Sequence, residues 1–274
     1  MKKYVIFIIA LLIFFIIFKE KIFNQANYNK YFNNIETCKI EEINEIPIGS
    51  TIIVGHAYGS PNNNENEFLS EKIEKFLDQN PLIKAVIFTG DVFKYPTIEK
   101  WNRLKEIEII QKIEIYVAPG NHDVGFGENS SLDIFKNSKI SPFEYPFSTI
   151  LNNKNIIIDN SSSNGWQINQ KTYDLVKNNP SKNYILFIHH IILKDLLYLA
   201  NSKQGIPDNL LSFDDLRNLN LTIISGDSGA FINLPRISCH KKGSLKYITN
   251  GIGDIDGDII LVLNNSKIYS YKLK

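Results

Sequence analysis

The sequence predicts a layered α/β fold with mixed sheets in one large domain. Strand-like apolar runs alternate with helix-like segments through most of the chain, which is the pattern that gives parallel strands joined by helices. The C-terminal tail instead shows consecutive strand patterns. The chain has 274 residues, and the roughly 230 to 250 residues that follow an N-terminal apolar run suit a single large domain.

The first element along the chain is the N-terminal apolar run. Lys2 and Lys3 precede an unbroken apolar stretch from Tyr4 to Phe18, and charged residues follow it. The stretch is shorter than a full hydrocarbon core at about 1.5 Å per residue, but flanking lysines extend its reach. No A-x-A-like cleavage site follows, so an uncleaved signal anchor over 1–23 is favoured over a cleaved signal peptide. The greater positive charge before the run predicts a single-pass membrane protein with an extracytoplasmic domain.

The remaining elements follow from the hydrophobic pattern. Residues 24–48 are polar and Asn-rich, which predicts a stalk leading into a domain over 49–274. Continuous branched apolar runs predict buried strands near 51–54, 84–88, 113–118, 154–158, 184–188 and 221–224. Helical spacing is found near 68–77, 97–109, 167–178 and 192–200, with a short helix from Ser212. The stretch from 124 to about 150 is predicted to be irregular, and 240–242 is predicted to be an exposed loop. The tail is predicted to form antiparallel strands at 245–249, 258–263 and 267–273.

Charge and cysteine content narrow the function classes. The net charge is +1, so no global field attracts nucleic acid and no nucleic-acid partner is expected. Cys38 and Cys239 lack the CxxC spacing of a zinc or redox pair. Two unpaired thiols are the favoured interpretation. A long-range disulfide between the lead-in segment and the domain is the alternative, because the domain is expected outside the cytoplasm.

Short polar segments rich in Gly, Asn and Asp follow five of the predicted strands. They are Gly55-His56-Ala57-Tyr58-Gly59, Gly90-Asp91, Gly120-Asn121-His122-Asp123, His189-His190 and Gly226-Asp227-Ser228-Gly229. In open α/β sheets the carboxyl ends of the strands form the edge where ligands bind. Imidazole, carboxylate and amide groups are metal ligands, so the pattern predicts a metal-dependent hydrolytic site.

The ordered set GD, GNHD, HH and a glycine-containing turn after the last strand of the set resembles the calcineurin-like metallophosphoesterases. The resemblance covers roughly residues 50–274. It implies a four-layer αββα sandwich of two mixed β-sheets flanked by helices. It also implies that one or two divalent ions (Mn, Fe or Zn) activate a bound water as hydroxide, which attacks the phosphorus of a phosphoester.

The resemblance also implies roles for individual residues. Asp91 is expected to bridge the ions, and Asn121 and His189 to bind the second ion. His190 is expected to point elsewhere and to serve as a supporting or packing residue. His122 is expected to be the general acid that protonates the leaving oxygen, with Asp123 orienting its ring.

Two motifs depart from the family pattern. His56-Ala57-Tyr58 stands where Asp-x-His is usual, and Gly226-Asp227-Ser228-Gly229 stands where Gly-His-x-His is usual. His56 and Asp227 therefore exchange ligand types and remain competent metal ligands. Tyr58 and Gly229 replace two histidines of the first ion, and Tyr58 is either a phenolate ligand or a packing residue. The first ion is expected to bind more weakly or to be a different metal.

These observations together predict a membrane-anchored hydrolase that acts on a phosphorylated substrate outside the cytoplasm. Cell-envelope components are candidate substrates because of the anchor. The alternative is a catalytically silent member that binds a glycan or a protein partner at the cell envelope. The GNHD segment favours the enzyme, because a pure binding protein does not need a His–Asp acid pair.

Overall fold

The computed structural model describes residues 35–60, 62, 67–125, 130–140, 142, 144–199, 210–230 and 234–274. The predicted signal anchor over 1–23 lies outside these residues. Within the described part of the chain, no helix has the length and apolar character needed to cross a membrane. A compact unit runs from Glu36 to Lys274, so the folded domain includes the second half of the segment expected to be a stalk.

Strands and helices alternate through the middle of the domain. The strands are β1 (Glu36–Thr37), β2 (Glu41–Ile43), β3 (Thr51–Val54), β4 (Ala85–Phe88), β5 (Glu114–Val117), β6 (Phe147–Leu151), β7 (Lys154–Ile158), β8 (Tyr184–Ile188), β9 (Leu221–Ser225), β10 (Ser238–Lys242), β11 (Leu245–Thr249), β12 (Ile259–Asn264) and β13 (Lys267–Lys272). The α-helices are α1 (Glu71–Gln79), α2 (Ile98–Gln111), α3 (Asn121–Val124), α4 (Ser130–Ser138), α5 (Gln170–Lys177), α6 (Lys194–Leu199) and α7 (Phe213–Leu216), and a 3-10 helix spans Asp227–Ala230.

The described strands form two mixed sheets. One has the order β2-β13-β12-β3-β4-β5 and the other β1-β10-β11-β9-β8-β7-β6. Strands β3, β4 and β5 are parallel to one another, as are β7, β8 and β9. The carboxyl ends of β3, β4 and β5 in one sheet, and of β8 and β9 in the other, therefore carry the predicted site segments.

The two sheets pack face to face, with helices on the outside. Alternation along β3 shows this, since Ile53 belongs to the core between the sheets and Ile52 to the core beneath the helices. Phe187 and Ile248 of the second sheet join Ile53 in the inter-sheet core. The helix-covered core includes Ile73 of α1 and Trp101 of α2. The predicted four-layer αββα sandwich of two mixed β-sheets is confirmed.

Four local predictions differ from the structure. Strands β1 and β2 lie in the expected stalk, because short polar edge strands lack an apolar pattern and pair only with distant β10 and β13. Helix α4 lies in the stretch expected to be irregular. Strand β10 contains the expected loop 240–242. The tail is not one antiparallel set, because β11 pairs in parallel with β9 whereas β12 and β13 lie in the other sheet.

Cys38 and Cys239 form a disulfide, so the favoured interpretation of two unpaired thiols is wrong. Their Cα atoms lie 5.0 Å apart although 201 positions separate them in sequence. Strand β1 brings them together by pairing with β10, and the Cys38 amide donates to the Cys239 carbonyl at 2.9 Å. The bond therefore fastens the start of the folded domain to an inner part of the seven-stranded sheet.

Replacing both cysteines with serine is expected to lower the free energy of unfolding by about 2–5 kcal/mol, because the disulfide closes a very long loop in the unfolded chain. Urea unfolding of the wild type with and without a reductant, beside the Cys38→Ser/Cys239→Ser variant, measures this loss. The reductant should leave the double variant unchanged. Equal stability of the oxidised wild type and the double variant would show that the bond does not stabilise the fold.

Candidate metal centre

Glycine allows the ends of the two sheets to meet. Gly226 follows β9, and a Cβ atom there would collide with the carbonyl oxygen of Thr89, which follows β4 in the other sheet. Gly55, after β3, is similarly close to Gly226. No larger residue fits these positions without moving backbone, so the glycines let loops from both sheets converge on one point.

Two of the site residues have an unusual backbone conformation. His56 and Asp91 have φ angles of 54° and 53°, in the left-handed region that non-glycine residues rarely adopt. The His56 amide donates to the Gly90 carbonyl at 3.1 Å, which ties the two loops together. Such conformations persist where the surrounding structure holds them, and they are concentrated at functional sites.

Donor atoms from five loops lie close together. His56 Nε2 lies 3.3 Å from Asp91 Oδ2 and 3.6 Å from Asp227 Oδ1. His189 Nε2 lies 3.4 Å from Asp91 Oδ1 and 3.7 Å from Asp227 Oδ1. Asn121 Oδ1 lies 3.2 Å from His189 Nε2. The structure thus brings together all five residues predicted to bind metal. We call them the donor cluster.

Backbone carbonyls orient both imidazoles of the donor cluster. His189 Nδ1 lies 3.1 Å from the Thr89 carbonyl, and His56 Nδ1 lies 3.4 Å from the Gly59 carbonyl. A carbonyl only accepts hydrogen bonds, so each Nδ1 carries the proton and each Nε2 keeps its lone pair. This is the arrangement that metal-binding histidines use, with the second ring nitrogen held by an outer partner.

The donor cluster fits a divalent cation. His56 Nε2 is buried and has no hydrogen-bond partner in the described part of the chain, although it faces two carboxylates. His56, Asp91 and His189 are themselves buried, and one ligand atom from each lies within 4.8 Å of the others. Buried polar atoms normally have partners, and nitrogen and oxygen donors of this kind suit Mn, Fe or Zn.

The electrostatics of the donor cluster also favour a cation. Burial opposes the negative charge of Asp91, but His189, His56 and His122 outweigh burial and lower the pKa of the Asp91 carboxyl. Burial likewise opposes a positive charge on His189, whereas Asp91 and Asp227 raise the pKa of its imidazole. Positive charge at the centre therefore stabilises the two carboxylates, and a divalent ion supplies it in the most compact form.

His122 lies beside the donor cluster but is held by a different group from the one expected. Its backbone amide donates to Asp91 Oδ1 at 3.1 Å, and its Nδ1 lies 2.9 Å from the Lys94 carbonyl. The Asp123 carboxylate instead accepts from the backbone amides of Gly120 at 2.9 Å and Val92 at 3.0 Å. The expectation that Asp123 orients the His122 ring is therefore wrong, because that carboxylate holds the GNHD turn against the loop after β4.

Asp123 is buried next to a second carboxylate. Burial, followed by the charge of Asp91, raises the pKa of Asp123 to about 7, while the hydrogen bond from the Gly120 amide acts in the opposite direction. Its place in the structure is thus that of a positioning residue for the turn that presents Asn121 and His122.

Tyr58 and His190 each lie against a histidine of the donor cluster. The Tyr58 ring lies between His56 and His122, with centroid distances of 4.9 Å and 5.5 Å. Burial, then the charges of Asp91 and Asp227, raises the pKa of the Tyr58 phenol well above its ordinary value, which disfavours a phenolate unless a cation binds it.

The His190 ring packs edge-on against the His189 ring, with centroids 4.7 Å apart, and it also contacts residues outside the donor cluster. Its ring stacks on Trp166 at 4.8 Å, and its Nδ1 faces the Ser161 hydroxyl at 3.2 Å. Burial, then the proximity of His189, lowers the pKa of His190 to about 3, so its imidazole is neutral at pH 7. Trp166, Ser161 and the carbonyls that orient the histidines carry no motif, so the sequence offers no signal for them.

Comparison with known proteins agrees with this geometry. The sequence model of the family described as calcineurin-like phosphoesterase matches residues 56–248, which is more than half of the chain. No curated protein matches the chain. The matched region contains every residue of the donor cluster together with His122, and it includes strands β4, β5, β8 and β9. The chain therefore belongs to the calcineurin-like phosphoesterase family.

Proposed function

We propose that the protein is a metal-dependent hydrolase of phosphoester bonds. The observation that carries the proposal is the meeting of five metal-binding side chains from five loops, with His122 beside them. A histidine next to a cation site can protonate a departing oxygen, which a phosphoester hydrolase requires. Membership of the family supports the same class of reaction.

The donor cluster and His122 would have different roles in the reaction. His56, Asp91, Asn121, His189 and Asp227 would hold the cation. A bound divalent ion supplies a nucleophile from water at neutral pH and neutralises charge on the phosphate. The chain itself contributes the fixed placement of these donors, since backbone carbonyls set both imidazoles and buried sheet ends set both carboxylates.

His122 is suited to deliver a proton through Nε2. Its Nδ1 donates to the Lys94 carbonyl at 2.9 Å, so the proton that exchanges is the one on Nε2. The amide bond to Asp91 at 3.1 Å fixes the residue beside the cluster. We assign the proton transfer to the leaving alkoxide to this side chain, and a positioning role to Asp123.

The proposal includes an extracytoplasmic location with an N-terminal membrane anchor. The Cys38–Cys239 disulfide supports it, because structural disulfides persist mainly in oxidising compartments. The lysine-flanked apolar run from Tyr4 to Phe18 supports it independently. A phosphorylated component of the cell envelope is the substrate class that such a location would offer.

A catalytically silent protein that binds a glycan or a protein partner is the second candidate. The observation that favours it is Gly229, which offers no ligand at a position where the family usually has a histidine. Such a protein would keep the fold and the convergent loops but would turn over no phosphoester, whatever metal it contained.

Hydrolysis assays separate these two candidates. The purified full-length chain is stripped with a chelator, reloaded with Mn(II), Zn(II) or Fe(II), and given p-nitrophenyl phosphate or its bis-ester. We expect nitrophenol release that the chelator abolishes and one of the metals restores. Metal-loaded protein that releases none from either substrate would contradict the hydrolase and support the binding protein.

A further inference from the structure

We infer that the donor cluster holds a single metal ion, and that histidine at position 56 together with glycine at position 229 removes the place of a second ion. The inference rests on the proposed function, because it takes the cluster to be a metal site. Its evidence is separate, and consists of the shared contacts of His56, the space around Gly229 and the charge of the buried donors.

Both imidazoles of the cluster face the same carboxylate oxygen. His56 Nε2 and His189 Nε2 lie 3.6 Å and 3.7 Å from Asp227 Oδ1, and 3.3 Å and 3.4 Å from the two oxygens of Asp91. Neighbouring ligand atoms bound to one ion at about 2.0–2.2 Å are separated by roughly 2.8–3.6 Å, the shorter value for octahedral and the longer for tetrahedral geometry. The spacing about Asp227 Oδ1 is therefore compatible with ligands around one centre, which His56 would share with His189, Asp227 and Asn121.

The His56 ring occupies the space that a side chain at position 229 would need. A Cβ atom on Gly229 would lie 2.7 Å from His56 Cγ and 2.6 Å from the Ile252 carbonyl oxygen. These distances are too short for any side chain, so position 229 can provide no ligand while His56 has this placement. The histidine at 56 and the glycine at 229 are thus a matched pair, and together they leave a second ion without its own ligands.

The number of donors also suits one ion. Two imidazoles, two carboxylates and one amide make five groups, which is within the usual complement of a single transition-metal ion. Tyr58 adds one phenol beside His56. One phenol does not make up a set of ligands for a second ion. Two ions about 3.5–4 Å apart would each need separate ligands.

The charge of the buried carboxylates also suits a single divalent ion. Asp91 and Asp227 are 2 % and 7 % exposed, and their two negative charges balance one divalent ion beside neutral histidines. Asp123 is directed at backbone amides and not at the cluster. The carboxylates of the cluster thus neutralise one divalent ion, and a second ion would need a bound anion such as hydroxide to offset its charge.

Metal counting on the full-length protein tests the inference directly. The chain is stripped with a chelator, loaded with excess Mn(II) and gel-filtered, and its metal is measured by mass spectrometry and its electron paramagnetic resonance spectrum recorded. We expect one Mn(II) per chain and the hyperfine spectrum of an isolated ion. Two ions per chain with an exchange-coupled spectrum would overturn the inference, and so would a chain that retains none.

Variants show whether His56 belongs to the same ion as His189. His56→Ala and His189→Ala should each weaken the single binding event in calorimetry by more than about 100-fold, since loss of an outer partner alone costs about 10–100-fold. His240→Ala, in β10, is the control and should bind like the wild type. A His56→Ala chain that folds, by circular dichroism, and binds with wild-type affinity would overturn the inference.

The outcomes separate this inference from the proposed function. One bound ion without hydrolysis of any phosphoester would refute the function and leave the single-ion site intact. Two bound ions with metal-dependent hydrolysis would refute the single-ion site and leave the function intact. The count on the wild type decides the matter even if both histidine variants fail to fold.

Discussion

Replacing Asp91 with asparagine should abolish metal binding and lower phosphoester hydrolysis by at least about 1,000-fold, or about 4 kcal/mol of transition-state stabilisation. Asp91 connects three parts of the site, since its two oxygens face His56 and His189 and it also accepts from the His122 amide. Asparagine keeps the size of the side chain but removes its charge. The cluster would then hold a divalent ion with only the Asp227 carboxylate, which does not balance it.

Asp159 provides a matched control for this substitution. It is also a buried aspartate at the end of a buried strand, and its carboxylate accepts from the Asn169 amide and the Thr172 hydroxyl. Asp159→Asn should lower stability but leave one metal binding event and hydrolysis close to wild type. Metal content, calorimetric affinity and initial rates are measured on both variants after circular dichroism confirms folding. Wild-type metal affinity in Asp91→Asn would refute its central place in the site.

Most of the inner strands could be predicted from the sequence because they are buried on both faces. Runs such as Ala85–Phe88 and Tyr184–Ile188 are entirely apolar, and a continuous apolar run bounded by Gly or Asp is typical of a central parallel strand. Strand β10 reads Ser-Cys-His-Lys-Lys and has no such pattern. Its pairing partners, and hence the disulfide, depend on contacts across the whole chain that no local pattern reveals.

The sheet assignment of the tail has a similar origin. Strands β11 and β12 are consecutive in sequence and both look like strands, but β11 lies beside β9 and β12 lies beside β3. A change of sheet between consecutive strands leaves no trace in hydrophobic periodicity, because each strand is amphipathic or buried in either position. Topology of this kind is a property of the packed layers and not of the individual strands.

The sequence allowed the residues of the donor cluster to be predicted, but not the hydrogen bonds that orient them. Strand ends rich in Gly, His, Asp and Asn indicate a ligand-binding edge, and the family resemblance names the individual donors. The groups that orient those donors are backbone carbonyls, such as those of Thr89 and Lys94, and every residue has one. For the same reason the sequence did not reveal that the Lys94 carbonyl holds the His122 ring. The neighbouring Asp123 carboxylate was the partner that the sequence suggested.

Removing His122 should impair proton transfer while leaving the metal in place. In His122→Ala we expect kcat to fall by about 100- to 10,000-fold for a phosphoester with an alkyl leaving group, the range attributed to general acid catalysis. The loss should be much smaller for p-nitrophenyl phosphate, because nitrophenolate departs without protonation. Metal content should equal that of the wild type, since the His122 contact with Asp91 is made by the backbone amide, which alanine retains.

The comparison of leaving groups distinguishes proton donation from a structural effect. A variant that merely disturbed the turn would lose activity on both substrates equally and would also lose metal, because the same turn presents Asn121 to the cluster. His240→Ala removes a histidine from β10 and should affect neither substrate. Equal losses on the alkyl and nitrophenyl substrates in His122→Ala would therefore contradict proton donation from this side chain.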